Sequence, residues 1–498
     1  MSSKKSSHRH APDWLILSIA CVAQFMVVLD VSVVNVALPH MGHDLHLSQN
    51  QAQWIINAYV LTFAGFLLLG GRAADLFGRR KVYLLGIGVF TLASVAAGFA
   101  ATGPQMIAAR AIQGLGGAIL SPATLTIIVT TFHGPRLPKA IGAWSAVAGA
   151  GGAVGGLAGG LLTGWANWRW VFFINIPFGI AAAVAAGLYL QEKRNRDATV
   201  KLDVTGAILV TAGLTALIYG VVNTTTSSWT STSTFSWLSA ATVILIGFVV
   251  WEARVASHPL VPFRIFHSRP LSVANIVMLL AGGAFFAMWY FLTYYFQNIL
   301  GYGAVRAGFA FLPMAIGIIV GAQLSSRLLV KVGVRPLLLV GAALATFGFL
   351  WLSRITPLSS YWKDVLAPAF LCSFAMGLLF APLATAATAK VDRADAGLAS
   401  GILNTARQVG GSLSLAVLGT VAYDRTQSYL HSAPSGAHPT LHFTKMAFVS
   451  GYSRAFEISG AITFVAFLVS LSLPAKVGHH SSHAPTVDPA AAAAGSGH

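Results

Sequence analysis

Fourteen apolar stretches follow one another along this chain, separated by short polar turns. They fall at 14–38, 52–71, 81–101, 104–131, 140–163, 168–190, 203–223, 235–253, 271–299, 306–329, 336–353, 364–389, 399–422 and 455–474. Each is close to the roughly 20 residues a helix needs to cross a hydrocarbon layer. Pro368 and Pro382 interrupt the twelfth and blur its ends. Inside the first stretch, sixteen residues after Trp14, stands Asp30. At a rise of about 1.5 Å per residue that is roughly 24 Å along a helix. An ionised, unpaired carboxylate at such depth costs several kcal/mol, so packing alone does not account for it.

Composition agrees with the pattern. The 498 residues are 56% hydrophobic and 9% charged, where soluble proteins carry about a quarter charged residues. No block resembles a soluble domain, so the fold class expected is an all-α polytopic membrane protein. Cys21 and Cys372 lie in apolar stretches and imply no disulfide framework. Residues 1–13 are basic and polar and run straight into the first span with no small-residue cleavage site. They read as a cytoplasmic tail rather than a removed signal. Residues 478–498, rich in Ser, Ala, Pro and His, cannot bury a core and are expected to be disordered. Histidines cluster in these tails, which offer no preformed metal site. There is no Walker loop, so nucleotide cannot drive the chain directly and no cofactor is expected. A membrane-embedded enzyme would need several acids or histidines within spans, and only Asp30 clearly qualifies.

The net charge of +17 is distributed by topology. With the N-terminus inside, 22 of the 31 Lys and Arg fall on the cytoplasmic side, 7 on the other, and Arg110 and Arg407 lie within spans. That bias is the positive-inside pattern and places both termini in the cytoplasm of a plasma-membrane protein. Nucleic acid is a poor partner for charges placed this way.

An internal duplication is visible. Gly117 and Pro122 recur as Gly377 and Pro382, an offset of 260. Gly142, Gly151 and Gly152 recur as Gly401, Gly410 and Gly411, an offset of 259, and Arg72 and Arg80 recur as Arg327 and Arg335, an offset of 255. Spans one to six (14–190) therefore match spans nine to fourteen (255–477), with 191–254 an inserted helix pair expected to be peripheral and to carry no charge within the membrane. Two six-helix halves resemble the parallel-repeat plan of major facilitator transporters, which hold substrate between the halves near the midplane.

The turn after the second span reads Gly70-Gly71-Arg72-Ala73-Ala74-Asp75-Leu76-Phe77-Gly78-Arg79-Arg80-Lys81. Its glycines permit a tight turn, and Asp75 can pair with Arg79 or cap a helix N-terminus. The string resembles the signature loop of the major facilitator superfamily. That resemblance implies a conformational latch built from Gly71, Asp75, Gly78, Arg79 and Arg80, released during alternating access. Three further runs narrow the likeness: the residues around Asp30, Arg110-Ala111-Ile112-Gln113-Gly114-Leu115-Gly116-Gly117-Ala118, and Trp168-Arg169-Trp170-Val171-Phe172-Phe173-Ile174-Asn175-Ile176-Pro177-Phe178-Gly179. These resemble the fourteen-helix drug:proton antiporters over about 14–477. The fifth span resembles the glycine-rich motif of exporters, but Gly156 stands where that family usually has proline. The fold implied is a major facilitator fold with fourteen transmembrane helices. The activity implied is proton-driven export of hydrophobic, drug-like compounds by a monomer.

Arg110 has two readings: its guanidinium snorkels to the outer surface, or, as the family implies, it modulates protonation of Asp30. A cation favours the charged carboxylate and burial the neutral one. Gln113, one turn on, shares its face. Arg407, within Asn404-Thr405-Ala406-Arg407-Gln408, has no acid in its own span. Glu457, in the first turn of the last apolar stretch, is placed by the helix dipole or by coupling. Phe286, Tyr290 and Tyr294 share a helical face, either lining a pocket for flat compounds or facing lipid. Pocket candidates are thus Asn35, Gln113, Asn175, Phe286, Tyr290, Tyr294, Asn404 and Arg407. Two transport readings stand: a multidrug exporter, or a dedicated exporter of one endogenous metabolite such as an antibiotic, lipid or siderophore.

Overall fold

The computed structural model describes residues 12–133, 136–190, 202–224, 227, 229–389, 391, 395–432 and 440–474. The expected tails lie almost wholly outside these residues. Helices α1 (Asp13–Asp44), α2 (Gln49–Phe77), α3 (Arg79–Gly98), α4 (Gly103–Thr131), α5 (Arg136–Trp165), α6 (Trp170–Phe173) and α7 (Asn175–Tyr189) form the first half. An inserted pair, α8 (Val204–Asn223) and α9 (Thr232–Val250), precedes the second. That half comprises α10 (Arg269–Tyr294), α11 (Ala304–Ala310), α12 (Leu312–Val332), α13 (Val334–Leu352), α14 (Leu366–Thr388), α15 (Ala396–His431) and α16 (Leu441–Leu471).

Among the described residues, twelve helical segments are long and apolar enough to cross a membrane. The glycine-rich α5 and the more polar α15 are not of that number, yet they are 30 and 36 residues long. Each packs along a neighbour in its bundle, α5 on α1 and α15 on α10, so the described residues hold two long helices beyond the twelve. Several outrun their apolar stretches: α16 starts at Leu441, fourteen residues before the stretch at 455. Hydropathy marks the hydrocarbon layer, whereas a helix continues wherever its backbone stays bonded.

Local signals place the ends. Ser48 caps α2 through a reciprocal box: its Oγ accepts from the Gln51 amide at 3.3 Å, and the Gln51 side chain accepts from the Ser48 amide at 3.1 Å. Gly78, at φ +95° and ψ 137°, is the whole connection between α2 and α3. Gly333, at φ +82°, does the same between α12 and α13. Both lie in a backbone region open in practice to glycine alone. The duplication thus recurs as a pair of one-residue turns at the same, basic end of the bundle.

The packing repeats too. In the first half α1 runs along α5, α2 along α4, and α3 against α4 and α7. In the second α10 runs along α15, α12 along α14, and α13 against α14 and α16. The halves meet through α2 against α15 and α5 against α11. Small residues permit the second contact: a Cβ on Gly160 would stand 2.5 Å from the Ala304 carbonyl oxygen.

The inserted pair departs from expectation. Only α9 is peripheral. Helix α8 fills the groove between α2 and α15, where Ile218, Val221 and Val222 pack with Leu61 and Ala416. The pair is not free of buried charge either, because Glu252, in the turn that continues α9, is 4% exposed.

Candidate functional site

Asp30 and Arg110 meet. Arg110 Nη1 forms an ion pair with Asp30 Oδ2, and the two side chains are 2% and 0% exposed respectively. The guanidinium points into the bundle, which rules out the snorkelling alternative. Gly114, one turn after Arg110, lets α4 lie on α2, since a Cβ there would overlap the Tyr59 carbonyl oxygen. This approach brings Arg110 Nε within 3.2 Å of the Ile55 carbonyl and lays its guanidinium 4.2 Å from the Tyr59 ring centroid. A desolvated cation gains from such a ring face.

The carboxylate is caged by neutral donors as well. Gln113 Nε2 donates to Asp30 Oδ1 at 2.7 Å and Asn175 Nδ2 donates to the same oxygen at 3.1 Å. Gln113 turns its own carbonyl to Arg110 Nη1 at 2.6 Å. Ser94 Oγ accepts from Gln113 at 2.8 Å and from Asn175 at 3.4 Å, while donating to the Phe90 carbonyl at 2.9 Å. Helices α1, α2, α3, α4 and α7 therefore converge on one buried polar node. Three donors point at a group that only accepts while ionised. A proton on either oxygen would add a donor among these donors and leave that oxygen a poorer acceptor, so the cage is complementary to the ionised carboxylate.

The pocket candidates separate. Gln113 and Asn175 are fully buried and belong to the Asp30 cage. Asn35 is 9% exposed and donates to the Val31 carbonyl of its own helix at 2.9 Å. Tyr290 and Tyr294, with ring centroids 4.9 Å apart, line a cavity of about 320 Å³ between the halves with Pro39, Phe291, Asn298 and Tyr452. It lies at the end remote from the Gly78 turn. Phe286 sits deeper, where a Cβ on Gly411 would stand 3.2 Å from its ring. Asn404 accepts from Arg407 Nη2 at 2.8 Å. No acid pairs with Arg407 among the described residues. Glu457 forms a surface pair with Arg454 at 2.8 Å, half exposed, and has no place in the buried network.

Of the loop residues, Gly71 faces Pro122 at 3.6 Å, and Gly78 makes the turn. The side chain of Asp75 lies outside the described residues. Arg79 opens α3. Arg80 Nη2 donates to the Gly187 carbonyl in the last turn of α7, within its own half, a favourable place for a cation at a helix C-terminus. Two participants went unflagged by sequence reasoning. Ser94 is one small hydroxyl in a largely apolar helix, and Tyr59 reads as an ordinary core aromatic.

Residues 20–415 match the profile of the Major Facilitator Superfamily. Among curated proteins, a cephamycin export protein of Amycolatopsis lactamdurans is 44% identical over 81% of this chain and 84% of its own length. A puromycin resistance protein of Streptomyces alboniger is 38% identical over 91% and 90%. A tetracenomycin C resistance and export protein of Streptomyces glaucescens is 32% identical over 92% and 91%. The fold is shared with a D-xylose-proton symporter, at a TM-score of 0.62 and 14% identity over 93% of this chain and 99% of that one.

Proposed function

The chain belongs to the major facilitator superfamily, and from that premise we propose that it is a proton-driven exporter of hydrophobic, drug-like compounds. The observation that carries this reading is the sealed Asp30–Arg110 ion pair with its three-donor cage in the first half. Relatives bearing the names of antibiotic export and resistance proteins support the substrate class.

In this reading Asp30 takes a proton from the outer side, the cage relaxes, and the halves rock about α2–α15 and α5–α11. The proton leaves to the cytoplasm as the Arg110 pair re-forms, and substrate moves the other way. Gln297 Nε2, donating to the Val36 carbonyl at 2.8 Å, ties α1 to the end of α10 on the outer side. This contact must break for that side to open. The basic end, with the Gly78 and Gly333 turns, faces the cytoplasm by the positive-inside rule, with both termini there. The protein works as a monomer in the plasma membrane, uses no cofactor and performs no covalent chemistry.

The pocket reading places substrate against Tyr290 and Tyr294, with Arg407 and Asn404 deeper between the halves. With no acid beside it among the described residues, the Arg407 guanidinium repels cations, so neutral compounds and at most monocations are carried. The latch of Gly71, Asp75, Gly78, Arg79 and Arg80 controls exchange between states. Purified protein in proteoliposomes tests the reading: adding a transported compound should release a proton flux opposite to compound movement. Compound movement without proton flux would overturn it. A panel of unrelated compounds then separates a multidrug exporter from a dedicated one by the number that respond.

A further inference from the structure

The inserted helix pair carries a second buried acidic centre, far along the chain from Asp30. Asp203 caps α8, with its Oδ1 accepting from the Gly206 amide and from the Trp251 indole N–H, both at 2.8 Å. The turn Trp251–Val255 aims Glu252 inward, and its Oε2 accepts from the Val261 amide at 3.1 Å. The other two oxygens, Asp203 Oδ2 and Glu252 Oε1, are buried and receive no donor. They bracket one point: a Cβ on Gly206 would stand 2.5 Å from Glu252 Oε1 and 2.7 Å from Asp203 Oδ2. Every donor at the site is thus spent on the far oxygens, and two bare acceptors face each other.

Among the described residues no cation relieves them. Asp203 is the charged group acting on Glu252, and the linker supplies only backbone N–H groups. Arg254 and His258, near in sequence, are exposed, as is Arg72 on α2, the helix packed against α8. Arg264 pairs instead with Asp395 at 3.5 Å. Two ionised carboxylates so placed repel strongly in a low-dielectric setting, and a single proton between them removes the repulsion and satisfies both oxygens.

We propose that Asp203 and Glu252 form a second proton-binding site, an acid pair holding one shared proton that clasps the inserted helices to the linker entering the second half. When the proton departs to water at the basic end, like charges push the α9 turn and the Val261 linker away from α8. This assignment is independent of the export reading, and its test measures no transport.

The test uses the full-length protein, purified in lipid nanodiscs. Infrared difference spectra between about pH 6 and about pH 9, the range in which buried carboxyls are known to titrate, should show loss of one protonated-carboxyl band. The melting temperature should fall over the same interval. Glu252→Gln keeps a donor facing Asp203 and should abolish both changes, while Asp30→Asn should leave both intact. Asp203→Asn supplies the same comparison if the first variant folds poorly. A band that survives in both acid-pair variants, or no such band in the wild type, overturns the proposal.

Discussion

Asp30→Asn removes one negative charge and almost no volume, leaving Arg110 as a cation 2% exposed with no carboxylate beside it. Breaking one side of a buried ion pair costs about 3–5 kcal/mol, most of it the stranded charge. The amide retains an acceptor for Gln113, and the Arg110 contacts to the Ile55 carbonyl and the Tyr59 ring persist, which favours the lower part of that range. A loss of that size is a large share of the roughly 5–15 kcal/mol margin of a folded protein, so a lower melting temperature is expected. Adding Arg110→Gln removes the stranded charge, and replacing both partners of a buried pair is often close to neutral. Most of the stability should return. Function should not. With a pH gradient imposed across proteoliposomes, uphill export should be absent in both the single and the double variant. Downhill exchange should persist, because the neutral side chain mimics the protonated state. Uphill export by Asp30→Asn would move coupling elsewhere. Recovery of uphill export together with stability in the double variant would reduce the pair to a structural strut.

Gly78→Ala and Gly333→Ala should each cost about 1–3 kcal/mol, the usual range for a side chain forced into such a backbone region, whereas Gly88→Ala, with open space around it, should leave the melting temperature unchanged. Equal melting temperatures for all three would refute the turn argument. Asp75→Asn and Arg79→Ala should insert and fold normally yet lower export at least tenfold at matched expression; near-normal export by both would leave the loop a topology signal. Wild type should fail to export dications, and Arg407→Gln should admit them, scored by efflux of a dicationic dye. Dication export by the wild type would remove the charge limit.

Much of the fold was legible because its signals are local. Each apolar stretch reports a crossing without reference to its neighbours, and the basic turns report sidedness. The recurrence of Gly117 and Pro122 as Gly377 and Pro382, and of Arg72 and Arg80 as Arg327 and Arg335, announces the duplication, and the structure adds the matched one-residue turns at Gly78 and Gly333. Asp30 stood out for the same reason: a carboxylate in an apolar helix is costly wherever the helix goes. Helix ends were less legible, as α16 shows, since solvated residues continue a helix without adding hydropathy.

What the chain alone determined is therefore its class, its two-fold plan and the identity of the charged residues within it. The tertiary structure decided how those charges are answered. Whether Arg110 reaches the surface or Asp30 depends on how closely α4 lies on α2, which Gly114 permits but no pattern reports. Gln113 and Asn175 read as pocket residues until five helices converge and spend their amides on one carboxylate. The peripheral reading held for α9 and failed for α8, which finds the α2–α15 groove, a surface that exists only once the halves have assembled. Asp203 and Glu252, 49 positions apart, become partners only when the ends of α8 and α9 meet. Sequence sets the cost of each buried polar group, but only packing settles which neighbour offsets it.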